Sequence, residues 1–121
     1  MKAKKTLVIG ASSNPERYSY KAIERLQHHN QPVVAVGRRQ TEVLGVPVEK
    51  EKIHFDGIDT VTLYLNPKNQ VEYYNYIISL NPKRVIFNPG TENPELYEIL
   101  TQNGIEYEEA CTLVLLGTGQ Y

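Results

Sequence analysis

The chain reads as an α/β domain: a mostly parallel sheet of five to six strands, covered by helices on both faces to make three layers. Three observations predict this. Short apolar runs rich in Val, Ile and Leu alternate along the whole chain with amphipathic segments of roughly ten to fifteen residues, the pattern of right-handed β–α–β crossovers. Clusters of Asn, Pro and Gly punctuate the boundaries between them. No linker, repeat or low-complexity stretch interrupts the alternation, so residues 1–121 are read as one domain with one core.

The first strand is Thr6 to Ala11. A helix follows over roughly Ser19 to His29, where Ala22, Ile23 and Leu26 share one face by their i, i+3 and i+4 spacing. Asn30-Gln31 turns into the second strand, Pro32 to Val36, in which proline suits only the first position or an edge. Gly37 to Asp56 is the least regular stretch; Val43 to Val48 is read as an excursion with an edge strand, and Lys50 to Phe55 as a helical turn. The third strand, Asp59 to Leu65, is rich in β-branched residues.

Asn66-Pro67 opens the second helix, with Asn66 as N-cap and Pro67 at the first helical position. Val71, Tyr74, Ile77 and Ile78 are its expected apolar stripe, and Asn81-Pro82 stops it. Arg84 to Phe87 is the fourth strand, and Asn88-Pro89-Gly90 turns. Asn93-Pro94 opens a third helix striped by Leu96, Ile99 and Leu100 and closed by Asn103-Gly104. Ile105 to Glu108 is the fifth strand; Cys111 to Leu116 suits a helix or an extended segment, and Gly117 to Tyr121 reads as a flexible tail.

Bulk composition narrows the possible functions. With 13 Lys plus Arg against 14 Asp plus Glu, the formal net charge is -1, so no overall positive field recruits nucleic acid or an anionic membrane. The single cysteine, Cys111, rules out an internal disulfide and a cysteine-built zinc cluster. No stretch approaches the roughly 20 apolar residues that span a bilayer, and the apolar run at Thr6 to Ala11 is too short for a signal-peptide core. The reading is a cytoplasmic protein, monomeric or weakly homo-oligomeric. Nine tyrosines against two phenylalanines make an unusual balance, and Tyr73, Tyr74 and Tyr76 cannot share one face of a regular helix. Either they lie on the surface or they make a contact between copies.

In parallel α/β sheets, sites lie beyond the carboxyl ends of the strands. Four polar or Gly/Pro-rich segments converge there. The first is Gly10-Ala11-Ser12-Ser13-Asn14-Pro15-Glu16-Arg17-Tyr18-Ser19. Gly10 lets the backbone turn sharply, Ser12, Ser13 and Asn14 offer polar groups beside free N–H groups, the next helix points its positive end at the rim, and Arg17 brings a guanidinium fork. This is an anion cradle, although an ordinary capped loop uses the same residues. It is neither a G-x-G-x-x-G fingerprint nor a Walker loop, since Gly10 stands alone. The second segment, Gly37-Arg38-Arg39, stands where an NAD site places an acid; two guanidiniums favour an extra ribose phosphate, as in NADP or coenzyme A. Leu65-Asn66-Pro67 and Asn88-Pro89-Gly90 complete the rim: the former as a wall against a flat base, the latter as a turn leaving room for a thin ligand arm.

Candidates for chemistry are few. His28, His29 and His54 have no convergent spacing for a metal. Cys111 stands in an apolar run without a paired histidine, and Glu106, Glu108 and Glu109 form either a rim cluster or a solvated surface. No catalytic set is selected.

The segment Gly10 to Ser19 closely resembles the opening of the small stand-alone CoA-binding domain proteins, which are similar to the CoA-binding domain of the succinyl-CoA synthetase alpha subunit. The resemblance continues through Val43-Leu44-Gly45, Asp59-Thr60-Val61, Val85 to Gly90 and Asn103-Gly104-Ile105, ending near Cys111. It implies a Rossmann-like fold with CoA or an acyl-CoA across the carboxyl edge of the sheet. By resemblance, Gly10, Ser12, Asn14, Arg17 and Ser19 surround the diphosphate; Gly37, Arg38 and Arg39 lie near the ribose and its phosphate; Leu65, Asn66 and Pro67 border adenine with Val71 behind; and Asn88, Pro89 and Gly90 lie near the pantetheine arm. Two departures stand out. Many members carry a proline-asparagine-proline segment where this chain has Val36-Gly37-Arg38-Arg39, and a tryptophan and glutamine where it has Phe87 and Asn88. The ligase's phosphohistidine machinery has no match.

Three functional readings follow: a non-catalytic CoA or acyl-CoA binding protein acting as carrier, sensor or regulator; an NADP-dependent oxidoreductase or other nucleotide-using enzyme; and a protein-interaction subunit with a vestigial pocket.

Overall fold

A computed structural model describes residues 1–121. Its frame is a seven-stranded sheet in the order β3-β4-β2-β1-β5-β6-β7. The strands are β1 (Thr6–Ile9), β2 (Val33–Val36), β3 (Thr41–Val43), β4 (Val46–Glu49), β5 (Thr60–Leu63), β6 (Arg84–Phe87) and β7 (Glu106–Glu109). All neighbours pair in parallel except β3 and β4. The Rossmann-like α/β reading therefore holds, with more strands than expected. The surplus comes from the irregular stretch, which is a β3–β4 hairpin whose second strand pairs with β2. Leu44 sits in its two-residue turn at φ 50°. Gly45, at φ 85°, takes the second position of the turn freely, while Leu44 gains nothing from its left-handed conformation and is held there by the strand pairing.

Alternate residues of the central strands face opposite layers. Leu7, Ile9, Val61, Leu63, Val85 and Phe87 meet Ile77 and Leu80 of α3 (Tyr74–Leu80) and Leu96 and Leu100 of α4 (Pro94–Gln102). Val8, Ala35, Val48 and Ile86 meet Ile23 and Leu26 of α1 (Tyr18–His28) and Leu116 of α5 (Thr112–Gly117). Local chemistry sets the helix ends. Asn93 caps α4 through its side chain, which accepts from Leu96 N–H, with Pro94 at the first helical position. α1 and α4 both end in Schellman turns: Gln31 and Asn30 donate back to Leu26 and Gln27, and Ile105 and Gly104 to Leu100 and Thr101. No helix is long and apolar enough to cross a membrane.

Three expectations change. Lys50 to Phe55 is not helical. The second helix is broken into α2 (Pro67–Gln70), a 3₁₀ turn (Val71–Tyr73) and α3. The tighter 3₁₀ turn eclipses positions three apart, so Tyr73 and Tyr76 share the buried face, with ring centroids 6.4 Å apart. The apolar stripe moves accordingly: Val71 is 54% exposed and Tyr73 is 5%. Tyr74 is half-buried and donates its hydroxyl to Glu95.

The tail also departs from its reading. Tyr121 is 3% exposed. Its hydroxyl hydrogen-bonds the Thr6 hydroxyl, its ring lies under the Arg84 guanidinium at 4.6 Å, and its backbone oxygen accepts from Lys4 Nζ. Thr6 is fully buried at the start of β1 and Arg84 opens β6, so the tail closes the amino end of the sheet. Replacing Tyr121 by Ala is expected to lower stability by about 3 kcal/mol, and by Phe about 1 kcal/mol. Urea unfolding checks both; an Ala variant indistinguishable from the parent would show that the tail carries no load.

Candidate functional site

From β1 the chain builds outward through β2 to β4, then returns to the other side of β1 for β5, β6 and β7. The carboxyl ends of β1 and β5 thus flank the point where the strand order reverses. A crevice is expected there, because consecutive connections leave toward opposite faces. The structure has a groove of about 940 Å³ at this place, and beside it a pocket of about 380 Å³; Gly10, Arg38, Leu65 and Asn69 line both.

Two glycines make the groove. Gly10 turns at φ 90°, and a Cβ there would lie 3.0 Å from both the Leu65 side chain and the Tyr64 backbone. At Gly37 a Cβ would fall 2.4 Å from the Ala11 carbonyl oxygen, so only glycine lets the end of β2 pass the loop after β1. Gly10 and Ala11 donate together to the Val36 carbonyl, and Gly37 donates to Glu49, which locks this crossing.

The loop after Ala11 shapes itself. Ser12 Oγ accepts from Asn14 N–H at 3.1 Å, and Asn14 Oδ1 from Glu16 N–H at 3.0 Å. Those side-chain oxygens hold the turn, which leaves the Ser12 hydroxyl hydrogen and the Asn14 amide NH2 as donors. α1 begins with Arg17 as N-cap, without a side-chain cap and with no acidic residue in the first turn. The N–H groups of Ser12, Ser13, Tyr18 and Ser19 have no acceptor in the protein. Ser19 is 3% exposed, lines the groove, and its hydroxyl also lacks a protein partner. Donors thus converge on one spot at the positive end of the helix.

Charge strengthens the cradle. Arg17, Arg38 and Arg39 line the groove and are exposed, while the protein's ion pairs lie elsewhere, at His54–Asp56, Lys83–Asp59 and Arg84–Glu108. Lys68 and Glu72 join Arg38 in the pocket, whose floor includes Tyr73. Burial pushes the Tyr73 hydroxyl above its usual range and Glu72 adds to this, while Arg38 opposes it. Leu65 and Val71 supply the pocket's apolar surface.

Most residues singled out from the sequence meet here. Gly10, Ala11, Ser12, Ser13, Asn14, Arg17, Tyr18 and Ser19 line the groove, with Arg38, Arg39, Leu65 and Asn66, and with Pro89 and Gly90 at its far end. Gly37 and Val71 line the pocket. Pro67 and Asn88 line neither. Pro67 begins α2, whose cap is the Asn66 side chain accepting from Asn69 N–H. Asn88 is 3% exposed; it donates to Thr62 Oγ1 and Leu63 O and accepts from Thr112 N–H, tying β5, β6 and α5 together. Lys68, Asn69, Glu72, Tyr73, Tyr64, Thr91, Glu16 and Thr41 also line the groove or the pocket and were not singled out for the site from the sequence. The first two were findable, since a helix that starts on the rim brings its first turn there.

Tyr64 lines the groove with its hydroxyl turned inward toward Thr62 and Thr112, and burial holds that hydroxyl well above the ordinary tyrosine range. Cys111 is half-exposed at the start of α5. No three His, Cys, Asp or Glu side chains converge to hold a metal ion.

The chain matches the CoA binding domain family over residues 4–117 and belongs to it. No curated protein matches. It is similar to a crystal structure of an uncharacterized protein at 55% identity and TM-score 0.97, with all of both chains covered. A Thermus thermophilus protein shares the fold at 20% identity and TM-score 0.87, over 98% of this chain and 91% of its own. The dinucleotide-forming acetyl-coenzyme A synthetase 1 of Ca. Korarchaeum cryptofilum, in complex with phosphate and ADP, shares it at 15% identity and TM-score 0.72, over 88% of this chain and 25% of its own.

The Gly37 crossing is open to test. Gly37→Ala is expected to shift the loop after β1 and cost about 1–3 kcal/mol. Thermal unfolding, with the shifts of the Ser12 and Ser13 amide resonances, reads both effects; unchanged resonances and melting would show that the crossing tolerates a methyl group.

Proposed function

We propose that the protein binds coenzyme A or an acyl-CoA in this groove and acts without chemistry of its own, as a carrier, sensor or regulator. The observation that carries the reading is the open start of α1: unpartnered N–H groups and the unpartnered Ser19 hydroxyl stand there beside Arg17, and Arg38 and Arg39, also without carboxylate partners, line the same groove. A helix N-terminus so equipped suits a diphosphate. In this reading the adenine lies in the pocket against Leu65 and Val71. Arg38 and Arg39 take the ribose phosphate, and the pantetheine arm runs over the end of β5 toward Pro89 and Gly90. Membership of the CoA binding domain family supports the ligand class.

Thermal unfolding with 1 mM ligand tests it. For a dissociation constant near 10 µM, CoA is expected to add about 2.7 kcal/mol, several degrees in Tm. CoA is expected to outbind dephospho-CoA by about tenfold, and Arg38→Ala to remove most of that difference. A rise with NADPH but not CoA would replace this reading with the oxidoreductase one. No rise with either would leave a vestigial pocket.

A further inference from the structure

The groove is electrically polar along its length. At one end stand Arg17, Arg38, Arg39 and Lys68, four cations against the two carboxylates Glu16 and Glu72. At the other, the chain changes character: from Val85 to Tyr121 the charged side chains are Glu92, Glu95, Glu98, Glu106, Glu108 and Glu109, with no lysine, arginine or histidine. Glu92 and Glu109 stand next to the last wall residues, Pro89, Gly90 and Thr91, and Glu95 lies in the first turn of α4. Glu92 Oε1 accepts from Gly90 N–H at 2.9 Å. Glu109 pairs in register with Phe87 at the end of β7, next to the same turn, and its Oε2 accepts from the Tyr97 hydroxyl at 2.5 Å. Glu95 accepts from Tyr74 at 2.9 Å. None of the three has a cation within ion-pair distance. Burial first, then the bonded Glu109 carboxylate and lastly Glu92, push the Tyr97 hydroxyl up to about 12, with the Asn93 backbone opposing.

A ligand's orientation is set at the cationic end. Ser19, 3% exposed with an unpartnered hydroxyl in the groove, marks where an anion is engaged at the start of α1. A CoA held there, as proposed above, delivers its sulfur toward Gly90 and any acyl group toward Glu92 and Glu109. We infer that the groove admits free CoA and thioesters of uncharged acyl groups, and discriminates against acyl groups that end in a carboxylate. Such an end would lie within a Debye length, about 8–10 Å, of uncompensated carboxylates and meet no cation. The inference rests on the CoA reading and adds the class of acyl group to it.

The test compares equilibrium affinities for CoA, acetyl-CoA, butyryl-CoA and succinyl-CoA at about 20 mM and about 500 mM salt. Butyryl-CoA matches succinyl-CoA in carbon count and lacks its charge. At low salt, acetyl- and butyryl-CoA are expected to bind alike, with succinyl-CoA about five- to tenfold weaker. The gap is expected to close at high salt and in the Glu92→Gln/Glu109→Gln double variant, where the amide oxygens still accept from Gly90 and Tyr97. Succinyl-CoA binding as tightly as acetyl-CoA would overturn the inference, as would butyryl-CoA weakened equally, since size would then be the cause. Both results leave CoA itself bound, and the binding reading intact; failure of CoA to bind would remove that reading, and this inference with it.

Discussion

The carboxyl ends of β1 and β2 cross more closely than any side chain permits. Gly37 passes the Ala11 carbonyl where a Cβ would sit 2.4 Å from the oxygen. The Gly10 and Ala11 N–H groups bond the Val36 carbonyl from the other side. This crossing sends the loop after β1 over the sheet edge and leaves α1 to begin behind it. Arg38, next along the chain, then faces the groove and the pocket together. A larger residue at Gly37 would separate the two strand ends and displace both walls.

A second fastening, the Asn88 amide, holds the opposite side. In the sequence, Asn88-Pro89-Gly90 is a polar turn at a strand end, which reads equally as a ligand surface or as scaffold. Its amide is committed inward, to Thr62, Leu63 and Thr112, partners 24 to 26 residues away. A buried amide costs stability unless its donors and acceptor are met, and the groups that meet them become neighbours only once the sheet has formed. Gln70 behaves similarly, bonding Leu65, Thr91 and Asn93 beneath the pocket. Local sequence shows that such residues are polar. It does not show which way they face.

The same boundary between local and distant causes separates what was readable elsewhere. The parallel strands, the Asn66 and Asn93 caps and the closure of α4 at Asn103-Gly104 follow from short-range chemistry, and they stand. The converging rim segments also follow, because parallel topology fixes which ends share an edge. The phase of the second helix was off by one residue, since a period of 3.6 was applied where a 3₁₀ turn intervenes; burial of Tyr73 and Tyr76 against the sheet outweighs regularity there. The tail looked flexible because Gly117 and Gly119 surround little but Thr118. The distant Lys4, Thr6 and Arg84 give Tyr121 its place.

Net charge is the coarsest of these signals, and here it conceals a division. A total of -1 excludes a general attraction for polyanions, yet Arg17, Arg38, Arg39 and Lys68 line the groove and its pocket while residues 85–121 carry only carboxylates as charged groups. Opposite charges kept this far apart do not stabilise the fold by pairing, because exposed charges beyond a Debye length are screened from one another. In the proposed binding mode the separation would give the groove a direction, orienting a ligand that is anionic at one end and neutral at the other where shape alone would not.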